Sequence, residues 1–312
     1  MRITRRIFIK GAALALLTME APGMSGAAEA DNLVEKTMPL MGTTARISIV
    51  DPNRDRARQA MAQAFARIRT VDRLMSVFRE ESEISLLNRY GYHGGLSPET
   101  AFVLAKAEHY AKLSNGAFDI SVLPALESKG ERGSRPRVNH KNISLNGRNV
   151  RFLKKDIRVT LGGIGIGYAV DVAAETLQKF NIRHAMINEG GDIRTIGRKD
   201  DGVSWRVGIE DPGRSGDIVA VIDLDDRAVA TSGNYRRRHI MDPQTGAYPE
   251  ELLSATIIAP SAIDADAVST TVFVKGLEKG MELINSIDGV EGLLITDNHG
   301  ILKSKGFKDF EI

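Results

Sequence analysis

Between residues 185 and 259 the chain carries five strand-length segments: Ala185–Asn188, Trp205–Ile209, Ile218–Asp223, Ala228–Thr231 and Ala255–Ala259. No helical periodicity separates them, and several connections are of hairpin length. A short connection reverses the chain, whereas a parallel crossover needs a dozen or more residues and usually a helix. This run therefore favours an α+β fold with a mixed, largely antiparallel sheet over a doubly wound parallel one.

The helical patterns lie on either side of the run. From Asp51 to Met75, apolar residues recur at Ala57, Ala60, Ala64, Ile68, Val71 and Met75, the three-and-four spacing of one helix face. Ser97-Pro98-Glu99 predicts an N-cap and first turn for a helix over Ser97–Leu113. Further helices are predicted over Tyr168–Phe180, Asp264–Lys275 and Glu278–Ile287. Alternation at Ala45, Ile47 and Ile49 predicts a half-buried strand ending near Val50. Shorter strands are expected at Val150–Leu153, Ile157–Leu161, Gly292–Thr296 and Gly300–Lys303, and residues 127–147 read as a long polar surface loop. No repeat is visible and no Pro/Gly/Ser linker interrupts residues 31–312, which are expected to form one domain.

Residues 1–30 read as an export signal rather than part of the fold. Arg5-Arg6 precedes a short apolar run, Gly11–Leu17, and Ala28-Glu29-Ala30 offers small residues at both specificity positions of a signal-peptidase site. The paired arginines resemble a twin-arginine signal, which predicts a periplasmic location. The apolar run is too short to span a bilayer easily, so no stable membrane anchor is expected.

The whole chain of 312 residues carries 42 Lys+Arg against 40 Asp+Glu. Residues 1–30 hold four of the bases and two of the acids, which leaves 38 of each. Bulk charge therefore gives no reason to expect a nucleic-acid partner. The absence of cysteine excludes disulfides, thiol catalysis, thioether-linked haem and a lipoprotein anchor. A bound metal would be held by oxygen or by the six histidines.

Four stretches could carry chemistry. In "LGGIGIGYAVD" the glycines at 162, 163, 165 and 167 give no register of the dinucleotide fingerprint, and leave a strand-to-helix turn with free N–H groups able to meet an anion. In "APSAIDADAVSTTVFVKG", Asp266 and Thr270 are four apart and share a helix face, a hard oxygen set suited to Mg²⁺. In "TSGNYRRRHIMDPQTGAYP", His239 stands beside strong turn chemistry at Asp242-Pro243 and follows Arg236, Arg237 and Arg238. In "LSNGAFDISVLPAL", Phe118 beside Asp119 suits a heterocycle. Each stretch alone has an ordinary structural reading: a tight turn, a helix cap, a solvated hairpin face, and core plus cap.

Their order is more informative. With "MGT", "MSVFREESEISLLN", "INEGGDIRTIG" and "WRVGIEDP", these blocks together resemble the ApbE family of FAD:protein FMN transferases from about Met41 to about Gly276. The resemblance implies binding of FAD with Mg²⁺ and transfer of the FMN half to a Ser or Thr hydroxyl of an acceptor flavoprotein, membrane-bound or exported, with release of AMP. It implies Asp266, Thr270 and the backbone carbonyl of Gly163 as metal ligands. It also implies FAD contacts at Met41, Phe78, Ala117, Phe118, Asp119 and His239, with His239 as base and Asp242 behind it. Thr160 and Ile166 occupy FAD-proximal positions where the family usually has Asp and a charged residue, and Phe78 stands where Tyr or Trp is common. These departures leave two alternatives open: an exported FAD carrier without transferase activity, and an FAD pyrophosphatase yielding FMN and AMP.

Overall fold

A computed structural model describes residues 32–128, 138–199, 202–214, 216–235 and 238–312. The expected export signal, Arg236, Arg237 and the middle of the predicted 127–147 loop lie outside the described residues.

The frame is an eight-stranded sheet in which every neighbouring pair is antiparallel. Its strands are β1 (Leu33–Leu40), β2 (Thr43–Val50), β6 (Ala185–Glu189), β7 (Asp192–Ile196), β10 (Ala228–Ser232), β11 (Leu252–Ala259), β12 (Glu291–Thr296) and β13 (Ile301–Lys303), in that spatial order. A three-stranded sheet holds β3 (Tyr92–His93), β5 (Asn149–Phe152) and β4 (Ile143–Asn146), and β8 (Trp205–Glu210) pairs only with β9 (Ile218–Leu224). The described helices are α1 (Arg54–Met75), α2 (Glu83–Tyr90), α3 (Pro98–Leu113), α4 (Leu123–Glu127), α5 (Gly165–Lys179), α6 (Ala262–Lys275) and α7 (Leu277–Ser286).

The period-two pattern of the strands sorts side chains onto the two faces of the sheet. Ala45, Ile47, Ile49, Ile187, Ala230, Ile257 and Leu294 join the helix-side core with Phe65, Ile68, Ala173 and Phe273. Their alternates Val50, Met186, Ile193, Val229, Ile258 and Ile295 pack under the β8–β9 hairpin, around Trp205, Val207, Ile222 and Phe307. Both faces are thus covered, and the helices are confined to one of them.

Three departures from the sequence reading have local causes. Residues 157–161 are extended but join no ladder, because the Asn88 side chain takes the place of a neighbouring strand: Nδ2 donates to Val159 O at 2.8 Å and Oδ1 accepts Val159 N–H at 2.7 Å. β7 is an additional strand, set by the Gly190-Gly191 turn, whose φ angles of 66° and 108° make the tight reversal possible. β4 falls inside the polar stretch expected to be loop, where Ile143 and Leu145 alternate with Ser144 and Asn146.

Candidate active site

One solvent-open cleft collects most of the chemistry-bearing stretches. Its walls include Ala117, Phe118 and Asp119, then Thr160, Gly162, Gly163 and Ile166, then Ser232, His239 and Met241, and finally Asp266 and Thr270. Of the sequence-selected residues, Met41, Phe78 and Asp242 are not part of this lining. Met41 sits in the β1–β2 turn with φ 45° and packs against the helix-side core. Phe78 is half-buried in the turn between α1 and α2.

The glycine loop and α6 interlock at the cleft floor. A Cβ on Gly167 would fall 2.2 Å from Ala262 O and 2.8 Å from Asp266 Cβ, so only glycine lets α5 lie this close to α6. The Gly167 N–H donates to Asp266 Oδ2 at 3.1 Å. A Cβ on Gly163 would meet Thr270 Oγ1 at 3.0 Å, which places the Gly163 backbone against that hydroxyl. Thr270 Oγ1 is also 3.2 Å from Ser232 Oγ at the end of β10. The register of α6 is held by Asp171 on α5, whose Oδ1 and Oδ2 accept the N–H groups of Ala262 and Ile263 at 2.9 Å each. Asp171 is itself paired with Arg194 of β7.

Of the two aspartates that open this helix, only Asp266 faces the cleft. Asp264 turns to α3, accepting from Lys106 Nζ at 2.8 Å and from Tyr110 Oη at 2.7 Å. Burial opposes its charge, yet bonds from Lys106, Ser261 and Tyr110 hold its carboxyl below the usual carboxylate range.

Asp192, at the start of β7, carried no assigned role in the sequence, although the Gly-Gly-Asp hairpin signal could have found it. It lines the cleft within hydrogen-bonding reach of Asp266. Burial, with the charges of Asp266 and Glu189, pushes its carboxyl well upward. Burial likewise raises Asp266 against the Gly167 N–H. Neither carboxyl takes part in a salt bridge among the described residues.

On the opposite wall, His239 is exposed on a loop closed by Asn234. Asn234 Oδ1 accepts the N–H groups of His239 and Ile240 at 2.9 Å, and Nδ2 donates to Ile240 O at 2.8 Å. Asp242 does not stand behind His239 as the sequence suggested: its two oxygens accept from Gln244 N and Thr245 Oγ1 at 2.8 Å each, so the carboxylate is used in building the turn. Arg238 is likewise engaged, with Glu250 at 2.8 Å and over the Tyr248 ring. Asp119 is a tie rather than a free acceptor, taking bonds from Ser121 N–H, Ser121 Oγ and His140 N–H.

The donor set suits a hard cation. A carboxylate at 266, a hydroxyl at 270 and a backbone carbonyl at 163 are all oxygen. No group of three His, Asp or Glu side chains that could hold a metal occurs among the described residues, so such an ion needs further oxygens from water or substrate.

The ApbE family model matches residues 41–294, most of the chain. The chain belongs to the ApbE family. It is 30% identical to the FAD:protein FMN transferase of Haemophilus influenzae over 85% of this chain and 87% of that one. Among solved structures, the ApbE protein of Thermotoga maritima superposes with a TM-score of 0.82 at 29% identity, covering 90% of this chain and 99% of that one. The flavin transferase ApbE of Vibrio cholerae does so with 0.81 at 28% identity, covering 89% and 99%. The α+β architecture is thus that of ApbE flavin transferases.

Proposed function

We propose that this ApbE-family chain is an FAD:protein FMN transferase, and that it uses Mg²⁺ and releases AMP. The observation that carries the finer reading is the meeting of the Gly163 backbone with Thr270, one turn from Asp266, in the same cleft as His239. Asp266, Thr270 and the Gly163 carbonyl would hold the ion. When bound, it would offset negative charge on the pyrophosphate and on the departing AMP. The described lining of the cleft holds no Lys or Arg that could supply that offset instead.

The chain's own groups do the rest. Phe118 and Ile166 offer apolar surface for a flat ring, and the glycine backbone approaches the ligand closely. The turn does not offer the row of free N–H groups expected from the sequence: Gly165 N–H bonds Leu161 O at 2.8 Å and Gly167 N–H bonds Asp266, so close backbone approach is its contribution. The acceptor hydroxyl oxygen bonds to the FMN phosphorus as the bond from that phosphorus to the bridging oxygen breaks. AMP leaves with that oxygen and its electron pair, and the hydroxyl proton passes to the His239 ring.

Export by the twin-arginine route to the periplasm is part of the same proposal, supported by Arg5-Arg6 and Ala28-Glu29-Ala30. No described helix is long and apolar enough to cross a membrane.

The test is incubation with FAD, Mg²⁺ and an acceptor domain, reading covalent flavin fluorescence on a denaturing gel together with AMP. Labelled acceptor with matching AMP is expected. AMP without labelled acceptor indicates a hydrolase, and FAD binding without AMP indicates a carrier.

A further inference from the structure

The outer face of the three-stranded sheet carries exposed rings among unpaired cations. Tyr92 and Ser144 lie directly across from Arg151 in the ladder, so the three form one outward row. The Arg151 guanidinium sits 5.8 Å from the Tyr92 ring centroid. The ring is also fixed from its other end: a Cβ on Gly94 would fall 2.4 Å from the Tyr92 hydroxyl, so the ring rests on bare backbone. Tyr90, the last residue of α2, is also exposed, with Arg89 5.9 Å from its ring. Leu153, Lys154 and Lys155 follow β5 directly and are exposed. Tyr90, Tyr92 and Leu153 are 69%, 49% and 55% exposed.

None of Arg89, Lys141, Arg151, Lys154 and Lys155 forms a salt bridge among the described residues. Acids and bases balance over residues 31–312, whereas the exposed stretch 151–156 sets Arg151, Lys154 and Lys155 against Asp156 alone. Along the chain, two of these cations stand close to cleft residues. Lys141 follows His140, whose N–H is held by the cleft residue Asp119, and Lys155 lies five residues before the cleft residue Thr160.

We propose that this face docks an acidic surface of the protein that receives FMN. The proposal rests on the transferase reading above. Positioned Tyr and Arg side chains are the residues most often found at the energetic centre of protein interfaces. Unpaired cations around them demand a partner of opposite charge and speed its encounter. A bilayer fits less well, because Leu153 is the only aliphatic side chain of the face and an interfacial segment needs a broad apolar stripe.

The test uses the full chain without residues 1–30 and two triple variants of equal charge. One carries Arg151→Glu, Lys154→Glu and Lys155→Glu. The other carries Lys279→Glu, Lys305→Glu and Lys308→Glu, exposed cations on α7 and after β13. The probe is a fluorescein-labelled peptide of twelve glutamates, followed by anisotropy. Vesicles with and without phosphatidylglycerol form a second arm. Weakening of peptide binding by about tenfold or more in the first variant, with the second within about twofold of the parent, is the expected result. Equal weakening in both variants, no peptide binding by the parent, or binding to phosphatidylglycerol vesicles but not to peptide each overturns it. FAD binding is titrated on the same samples. It should be equal in the parent and the first variant. Its absence from the parent tells against the transferase reading, whatever the peptide shows.

Discussion

The side chain of Asn234 holds the backbone of His239, accepting its N–H at 2.9 Å across a gap of five residues. The same carboxamide bonds both the N–H and the carbonyl of Ile240, so it fixes the backbone from which the His239 ring meets the cleft. Exposed loops rarely place a catalytic group well unless something of this kind restrains them.

Asn234→Ala is therefore expected to lower kcat by about tenfold to a hundredfold while leaving FAD affinity within a few-fold, since small misplacements of a reacting group are costly. Asn234→Asp keeps the acceptor bonds but loses the donor to Ile240 O, and should fall between the two. FAD titration beside AMP release under saturating FAD separates binding from turnover. Equal losses in both would make Asn234 a general structural support.

Asp266→Ala should abolish Mg²⁺-dependent turnover, because no other described carboxylate stands on the same helix face beside Thr270. An Mg²⁺ titration of AMP release checks this. Unchanged Mg²⁺ dependence would remove the assignment of Asp266 as a ligand.

Gly167→Ala sets a methyl group 2.2 Å from a backbone carbonyl oxygen, which cannot swing aside as a side-chain tip does. Separation of α5 from α6 should cost about 1–3 kcal/mol or more of stability, the range for overpacked cores. Denaturant unfolding measures it. Because the Gly167 N–H also bonds Asp266, Mg²⁺ affinity should weaken as well. Wild-type stability in this variant would contradict the close packing described.

Glu189 is wholly buried, and neither carboxyl oxygen has a hydrogen-bond partner. Burial, with the charge of Asp72 adding to it, pushes its pKa up from 4.5 to about 8. Between those values the folded chain keeps a proton that the unfolded chain has lost, so stability falls as pH rises through this window. Glu189→Gln removes the titration. Its stability relative to the parent should climb by on the order of a few kcal/mol between pH 5 and pH 8. Parallel stability profiles for the two proteins would falsify the assignment.

The sheet and helices were legible because their signals are local and periodic. Alternation at Ala45, Ile47 and Ile49 and the three-and-four spacing from Ala57 to Met75 survive into β2 and α1 with small changes of boundary. The site was legible only in part. Asp264 and Asp266 look alike in the sequence, and only the position of Lys106 and Tyr110 on a distant helix separates their roles. Asp192 has meaning because a two-glycine turn brings it to Asp266, a pairing across the fold that spacing does not express. Asp242 was misplaced for the opposite reason: its carboxylate bonds its near neighbours in the chain, Gln244 and Thr245, in a local turn.

The Asn88 side chain, which completes the backbone pairing of Val159, reaches across 71 residues of chain. The glycine turn that follows Val159 is thus tied to α2 through one side chain, so a change that loosens α2 also loosens a wall of the cleft.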